Sequence, residues 1–87
     1  MFYRYRMTEE QSDFYLSSDR FFTRDEVSQI ELEPCEDEDK LFEDDWWCVH
    51  DADGLSSIPA DCKDIAEARK ILREALNTSI YERIHDL

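Results

Sequence analysis

Residues 64–76 read DIAEARKILREAL. Ile65, Ala68, Leu72 and Leu76 recur at three- and four-residue intervals, and Ile71 and Ala75 widen the stripe they form. The spacing predicts an amphipathic helix with one apolar face. Asp61 or Asp64 suits its start, and Arg69, Lys70 and Arg73 follow toward its end, an order that complements the helix dipole. Asn77 suits the end of this helix. Residues 79–82 (SIYE) fit a capping box, which predicts a short terminal helix with Ile80, Ile84 and Leu87 inward. A single kinked helix is the alternative.

A one-faced helix needs an apolar partner, and the upstream sequence supplies strands. Residues 2–7 (FYRYRM) alternate bulky and basic side chains through Arg6, the period of a strand. Tyr3, Tyr5 and Met7 share one face of it and Phe2, Arg4 and Arg6 the other. The arginines suit either edge-strand protection or internal pairing with acids. Residues 8–11 (TEEQ) fit a capping box. Residues 13–18 (DFYLSS) are balanced between helix and strand, and their aromatic content favours strand. Residues 23–26 (TRDE) form a cleaner capping box, predicting a short helix from Thr23 to about Ile30.

Pro34 is expected to end whatever precedes it, with residues 35–39 a solvated loop. Residues 46–50 (WWCVH) predict a strand, and residues 51–54 (DADG) carry an Asp-Gly hairpin signal. Residues 55–58 (LSSI) return as the partner strand, stopped by Pro59. Strands first and helix last favour an α+β fold: a small antiparallel β-sheet with an amphipathic C-terminal helix packed on one face. Residues 1–87 are expected to form a single domain, which at this size buries roughly 60–65% of its unfolded surface. The apolar fraction of 41% and eleven aromatics favour a folded chain, and one glycine and two prolines do not make a linker.

The net charge of −13 is concentrated. Residues 1–30 carry −2, residues 31–54 carry −10 and residues 55–87 carry −1. Residues 31–45 (ELEPCEDEDKLFEDD) hold nine carboxylates and one lysine, and they run straight into Trp46 and Trp47. Such a surface repels nucleic acid and anionic membranes, so neither is an expected direct ligand. No apolar run approaches the ~18 residues of a membrane span, and residues 1–10 lack the apolar core of a signal peptide. Three cysteines exclude full pairing within one chain. Reduced thiols in a cytoplasmic protein are the expectation.

In an extended segment, carboxylates two residues apart lie roughly 6.6 Å apart on one face, a spacing similar in scale to the roughly 3.4 Å charge repeat of a DNA strand. An arginine-lined groove on a partner would accept such a surface. The acids Glu31, Glu33, Glu36, Asp37, Glu38, Asp39, Glu43, Asp44 and Asp45, with Trp46 and Trp47, are therefore the candidate partner-binding residues. In a strand the two tryptophans face opposite ways, so one enters the core and the other reaches the surface; a sheet covered on both sides would bury both.

The run CEDEDKLFEDD at residues 35–45, in a small acidic chain, resembles the small phage-encoded inhibitors of host defence, the anti-CRISPR and anti-restriction proteins that act as DNA mimics. The resemblance rests on size and charge distribution and carries no specific motif. It implies a non-enzymatic inhibitor working in the host cytoplasm, whose partner is a basic host protein or nucleoprotein complex: a nuclease or surveillance complex with a basic groove.

Three other readings compete. A protein-protein interaction or antitoxin-like module would use the apolar face of the C-terminal helix. Cys35, Cys48, His50 and Cys62 would supply four zinc ligands, but without the close Cys-x2-Cys pair usual in such sites; no metal or cofactor is expected. Asp51 and Asp53 overlap the start of a calcium loop, yet the twelfth position is Cys62 where a glutamate belongs. Catalysis has little support: His50 and His85 are the only histidines, and one glycine makes no phosphate loop. No catalytic residue is expected.

Overall fold

The computed structural model describes residues 1–43, 45–49 and 61–85. The expected hairpin turn at residues 51–54 and strand at residues 55–58 lie outside them, as do Asp44, His50 and Leu87.

The alternating N-terminal segment forms β1 (Phe2–Arg6), with Tyr3 and Tyr5 buried. It pairs antiparallel with β2 (Glu31–Cys35) on one side and β3 (Trp47–Cys48) on the other, giving the order β2-β1-β3. In β2, Glu31 lies opposite Arg6, Leu32 opposite Tyr5, Glu33 opposite Arg4 and Cys35 opposite Phe2. In β3, Cys48 lies opposite Arg4 and Trp47 opposite Tyr5. β1 is thus the central strand, and Arg4 and Arg6 do not protect an edge; they face acids across the ladder. Pro34 does not end the preceding segment but lies within β2. A proline is tolerated there because β2 is an edge strand.

α1 (Glu9–Ser17) replaces the strand favoured for residues 13–18. Its capping box is complete: Thr8 Oγ1 accepts from the Gln11 amide at 3.2 Å, and Gln11 Oε1 accepts from the Thr8 amide at 2.8 Å. α1 has no fully buried residue, which is why its apolar pattern is faint. Phe14 and Tyr15 pack partly buried on the core, with Phe14 edge-to-face on Phe22 at 4.9 Å between ring centres. Leu16 stays 68% exposed.

α2 (Arg24–Ser28) begins at the second capping box, with Val27 buried. Glu26 accepts from the Thr23 amide at 3.0 Å and takes two bonds from Arg20, at 2.9 and 2.8 Å. The Arg20 guanidinium, then the Thr23 contacts, hold the Glu26 carboxyl well below the usual carboxylate range, at about 2. A depressed folded-state value stabilises the fold above the ordinary carboxylate range, and that contribution is lost as pH falls toward 2. The stability gap between the parent and Arg20→Gln should therefore be full at neutral pH and close between about pH 4.5 and pH 2, read by urea unfolding across that window. A gap unchanged at acid pH would show that the pair does not contribute.

α3 (Ile65–His85) is one continuous 21-residue helix. It begins as expected at Asp64, whose Oδ1 accepts from the Glu67 amide at 2.9 Å. Asp61 instead forms a bridge to Phe2, and the Cys62 amide donates to the Met1 carbonyl at 2.9 Å, which ties the approach to α3 to the start of β1. The helix does not end at Asn77, and no second helix starts at Ser79. Asn77 is a mid-helix residue whose amide pairs with the Phe22 backbone: Oδ1 accepts from Phe22 N at 2.7 Å and Nδ2 donates to Phe22 O at 3.3 Å. Arg69, Lys70 and Arg73 lie in the first half of α3 and not toward its end, so they do not complement the helix dipole. The bases in the last turn are Arg83 and His85.

Three arginines of α3 hold neighbouring backbone carbonyls. Arg69 donates to Val27 O and Ile30 O at the end of α2. Arg73 donates to Phe22 O, and Arg83 to Tyr15 O and Ser18 O at the end of α1. The last carbonyls of a helix have no partner within it, so α3 completes both shorter helices.

The fold is α+β, a three-stranded antiparallel sheet with a C-terminal helix. The main core gathers Tyr3, Tyr5 and Leu32 from the sheet, Phe22, Val27 and Ile30 from the α1–α2 region, and Ala68, Leu72, Ala75, Leu76 and Ile80 from α3. The apolar stripe of α3 is thereby used inside the molecule, and Ile65 falls outside it, exposed.

The second face of the sheet is also covered. Residues 35–39 are the expected solvated loop only in part: Glu36, Asp37 and Asp39 are exposed, but Cys35 is buried and a 3-10 helix (Glu38–Phe42) begins within the segment, packed on all three strands. Leu41 on that helix is fully buried, and Cys35 and Cys48 are buried outside the main cluster. Among the described residues no helix is long and apolar enough to cross a membrane.

Candidate partner-binding surface

The acidic run divides into a paired part and an unpaired part. On β2, the strand alternation that sends Leu32 into the core turns Glu31 and Glu33 to the opposite face, beside Arg6 and Arg4. Arg6 Nη2 meets Glu31 Oε2 at 2.7 Å. Arg4 binds Glu33 Oε1 through Nε at 2.9 Å and also through Nη2. Arg4 Nη1 reaches Glu43 at 3.4 Å and the Lys40 carbonyl at 2.7 Å, so one guanidinium joins β2 to the 3-10 helix and its exit. The hydrogen bond to Glu33 leads the effects that raise the Arg4 pKa, and the side chain, only 13% exposed, stays charged. Glu31, Glu33 and Glu43 therefore serve the fold as well as the surface.

Glu36, Asp37, Asp39 and Asp45 are exposed and have no ion-pair partner among the described residues. Asp37 caps the 3-10 helix, its Oδ1 accepting from the Asp39 amide at 3.0 Å. Glu38 is the first residue of that helix. Asp45 adopts φ 70°, a left-handed conformation that aspartate tolerates better than most residues, and this bends the chain into β3. The carboxylates thus project from a short capped helix and a tight bend, both fixed to the sheet by Leu41 and Arg4.

The two tryptophans divide differently from the expectation, since neither enters the core. Trp46 precedes β3 and is half-buried under two guanidinium groups, with Arg4 Cζ 4.4 Å and Arg6 Cζ 4.5 Å from its ring centre. Trp47 points to the same side of the sheet as Tyr5, yet it is 59% exposed. It lines a groove of about 600 Å³ with Tyr5, Met7, Tyr15, Leu16 and Asp45, between the sheet and α1. Leu16 belongs beside Trp47 in this surface, and the sequence hides it, because its exposure follows only once residues 9–17 are helical.

No family model, curated protein or solved structure matches this chain.

The cysteines do not form a site of their own among the described residues. Cys35, Cys48 and Cys62 are all buried, and Cys35 Sγ lies 3.0 Å from Asp37 O. Burial, more than its acidic neighbours, pushes the Cys62 thiol up, away from the thiolate that metal binding and nucleophilic attack need. No three His, Cys, Asp or Glu side chains converge to hold a metal among the described residues.

Proposed function

We propose that this protein is a non-enzymatic inhibitor that occupies the basic nucleic-acid groove of a host nuclease or surveillance complex, in the manner of the phage-encoded anti-CRISPR and anti-restriction DNA mimics. The observations that carry this reading are the exposed carboxylates of Glu36, Asp37, Asp39 and Asp45, which have no ion-pair partner among the described residues, and the exposed Trp47, which shares its groove with Asp45. The fold neutralises Glu31, Glu33 and Glu43 and leaves this second set to solvent. An arginine-lined groove would exchange its counterions for these carboxylates, and Trp47 with Leu16 would supply the apolar anchor that interface hot spots need. The site of action is the host cytoplasm. The apolar face of α3, the contact surface of the antitoxin-like alternative, is occupied by the protein's own core.

The test replaces Glu36, Asp37, Glu38 and Asp39 with lysine. Binding to a partner captured from host lysate should fall by at least about 100-fold, since each close interfacial charge pair couples by about 1.5 kcal/mol or more. Duplex DNA should compete with the parent protein for that partner. Parental affinity in the quadruple variant, with an unchanged fold by circular dichroism, would sink the proposal.

A further inference from the structure

A positively charged concavity of this acidic protein lies between α2 and α3. It is a groove of about 910 Å³ with Arg24, Arg69, Lys70 and Arg73 along it and the exposed rings of Phe21 and Tyr81 among its lining residues. The volume is that of a small-molecule site. The chain has 23 acids and 10 lysines and arginines, yet four of those ten bases line this groove, with Glu74 the one acid among the described lining residues. None of the four bases has an ion pair among the described residues.

Two of the four are held in place by neutral groups. Arg69 uses Nη1 on Val27 O and Ile30 O, and Arg73 uses Nε on Phe22 O. Carbonyls fix the guanidinium planes without cancelling their charge, and the remaining N–H donors make no hydrogen bond among the described residues. Pre-set planar forks recognise phosphate with little further ordering. Arg24 and Lys70 add two cations that make no hydrogen bond or ion pair among the described residues, so they are free to close on an anion.

We propose that this groove binds a small phosphorylated ligand carrying an aromatic ring, a mononucleotide in chemical class, with the phosphates on Arg24, Arg69, Lys70 and Arg73 and the ring against Tyr81 or Phe21. Phe21, and the side of the Tyr81 ring not packed on His85 at 4.2 Å, supply the stacking surface that a simple anion would not use. The net charge of −13 selects for small size: repulsion grows with the charge of the incoming partner, so a long nucleic acid or a second copy of this chain is opposed far more than one nucleotide. The site is independent of the acidic surface.

The experiment is calorimetric titration of the full chain with ATP, inorganic tripolyphosphate and a single-stranded oligonucleotide, at low salt and without added metal. ATP should bind, and tripolyphosphate should bind more weakly. The double variant Arg24→Glu, Lys70→Glu should weaken ATP binding by at least about tenfold, because charge-assisted contacts are lost and reversed. Tyr81→Ala or Phe21→Ala should narrow the difference between ATP and tripolyphosphate. Arg24 and Lys70 make no side-chain contact that the fold needs among the described residues, and an unchanged melting temperature checks this. No heat with millimolar ATP, equal affinity for tripolyphosphate, tighter binding of the oligonucleotide, or a folded double variant with parental affinity would each overturn the proposal. So would self-association of the parent chain that the double variant abolishes, because it would assign the groove to a second copy.

Discussion

Leu41→Ala is expected to lower the unfolding free energy by about 2–5 kcal/mol, a large share of the roughly 5–15 kcal/mol that holds a typical domain together. Leu41 sits within the most acidic stretch of the chain, between Lys40 and residues 42–45, yet it is fully buried. The 3-10 helix that carries it packs on all three strands, over the face that also buries Cys35 and Cys48. Removing the side chain leaves a void in a layer too thin to collapse around it, so the cost includes a cavity as well as lost burial. Urea unfolding followed by tryptophan fluorescence should show a lower midpoint with an unchanged slope. Leu16→Ala, at a residue 68% exposed, should change stability by less than about 0.5 kcal/mol. Equal effects from the two would mean that residues 38–42 are a surface loop and that the second covered face is wrong. The outcome bears on function, because the same helix projects Asp39 and is capped by Asp37.

Asn77→Gly separates two views of α3 by the sign of its effect. If Asn77 ended a helix, glycine would be at least as good there, since a helix terminus favours the left-handed conformation that glycine adopts without cost. In the middle of a 21-residue helix, glycine costs about 1 kcal/mol relative to alanine and about 0.3–0.5 kcal/mol relative to asparagine. The Phe22 amide also loses the Oδ1 that it donates to at 2.7 Å, and Phe22 is almost fully buried. An amide left without a partner there costs about 1–3 kcal/mol. The expected destabilisation is therefore about 1.5–3.5 kcal/mol. Asn77→Ala should recover about 1 kcal/mol of it, because only the backbone part is restored. A neutral or stabilising Asn77→Gly would show that α3 is broken at this point.

Both residues mark places where local rules and long-range contacts disagree. Asn77 looks like a helix end because asparagine is a poor helix former that competes for backbone hydrogen bonds. Here it spends those bonds on a residue 55 positions away, and no local pattern reports that. The strand favoured for residues 13–18 fails for a related reason. Aromatic content pointed to a sheet, while the capping box at Thr8 pointed to a helix. The capping box prevails because it satisfies backbone groups at the very start of the segment, whereas Phe14 and Tyr15 pack on the core from a helix as well as they would from a strand. Pro34 failed as a terminator because its tolerance depends on whether β2 is an edge, and strand order is a tertiary fact.

The candidate surface was legible in part. Charge concentration singled out residues 31–45 without any coordinates. Which of those carboxylates are already neutralised was not visible, because Arg4 and Arg6 lie 25–39 residues from the acids they meet. The tryptophan pair shows the same limit. Strand alternation correctly separates Trp46 from Trp47, but it does not reveal that two guanidinium groups cover one ring while the other stands open beside Leu16.

The sequence by itself determined what depends on short-range periodicity: the alternating strand at the N-terminus, the capped starts of the first two helices, the apolar stripe of the last helix, and hence an α+β fold with a strongly acidic centre. These follow from hydrogen-bond geometry and side-chain spacing within a few residues. Only the tertiary structure decided the central place of β1, the burial of Leu41 within the acidic run, and the division of its carboxylates into paired and unpaired sets. It also decided the gathering of four bases into one groove on an acidic molecule. Each depends on which distant residues share a ladder, a face or a carbonyl, and the free energy of those contacts is set by packing across the chain and not by the neighbours of any one residue.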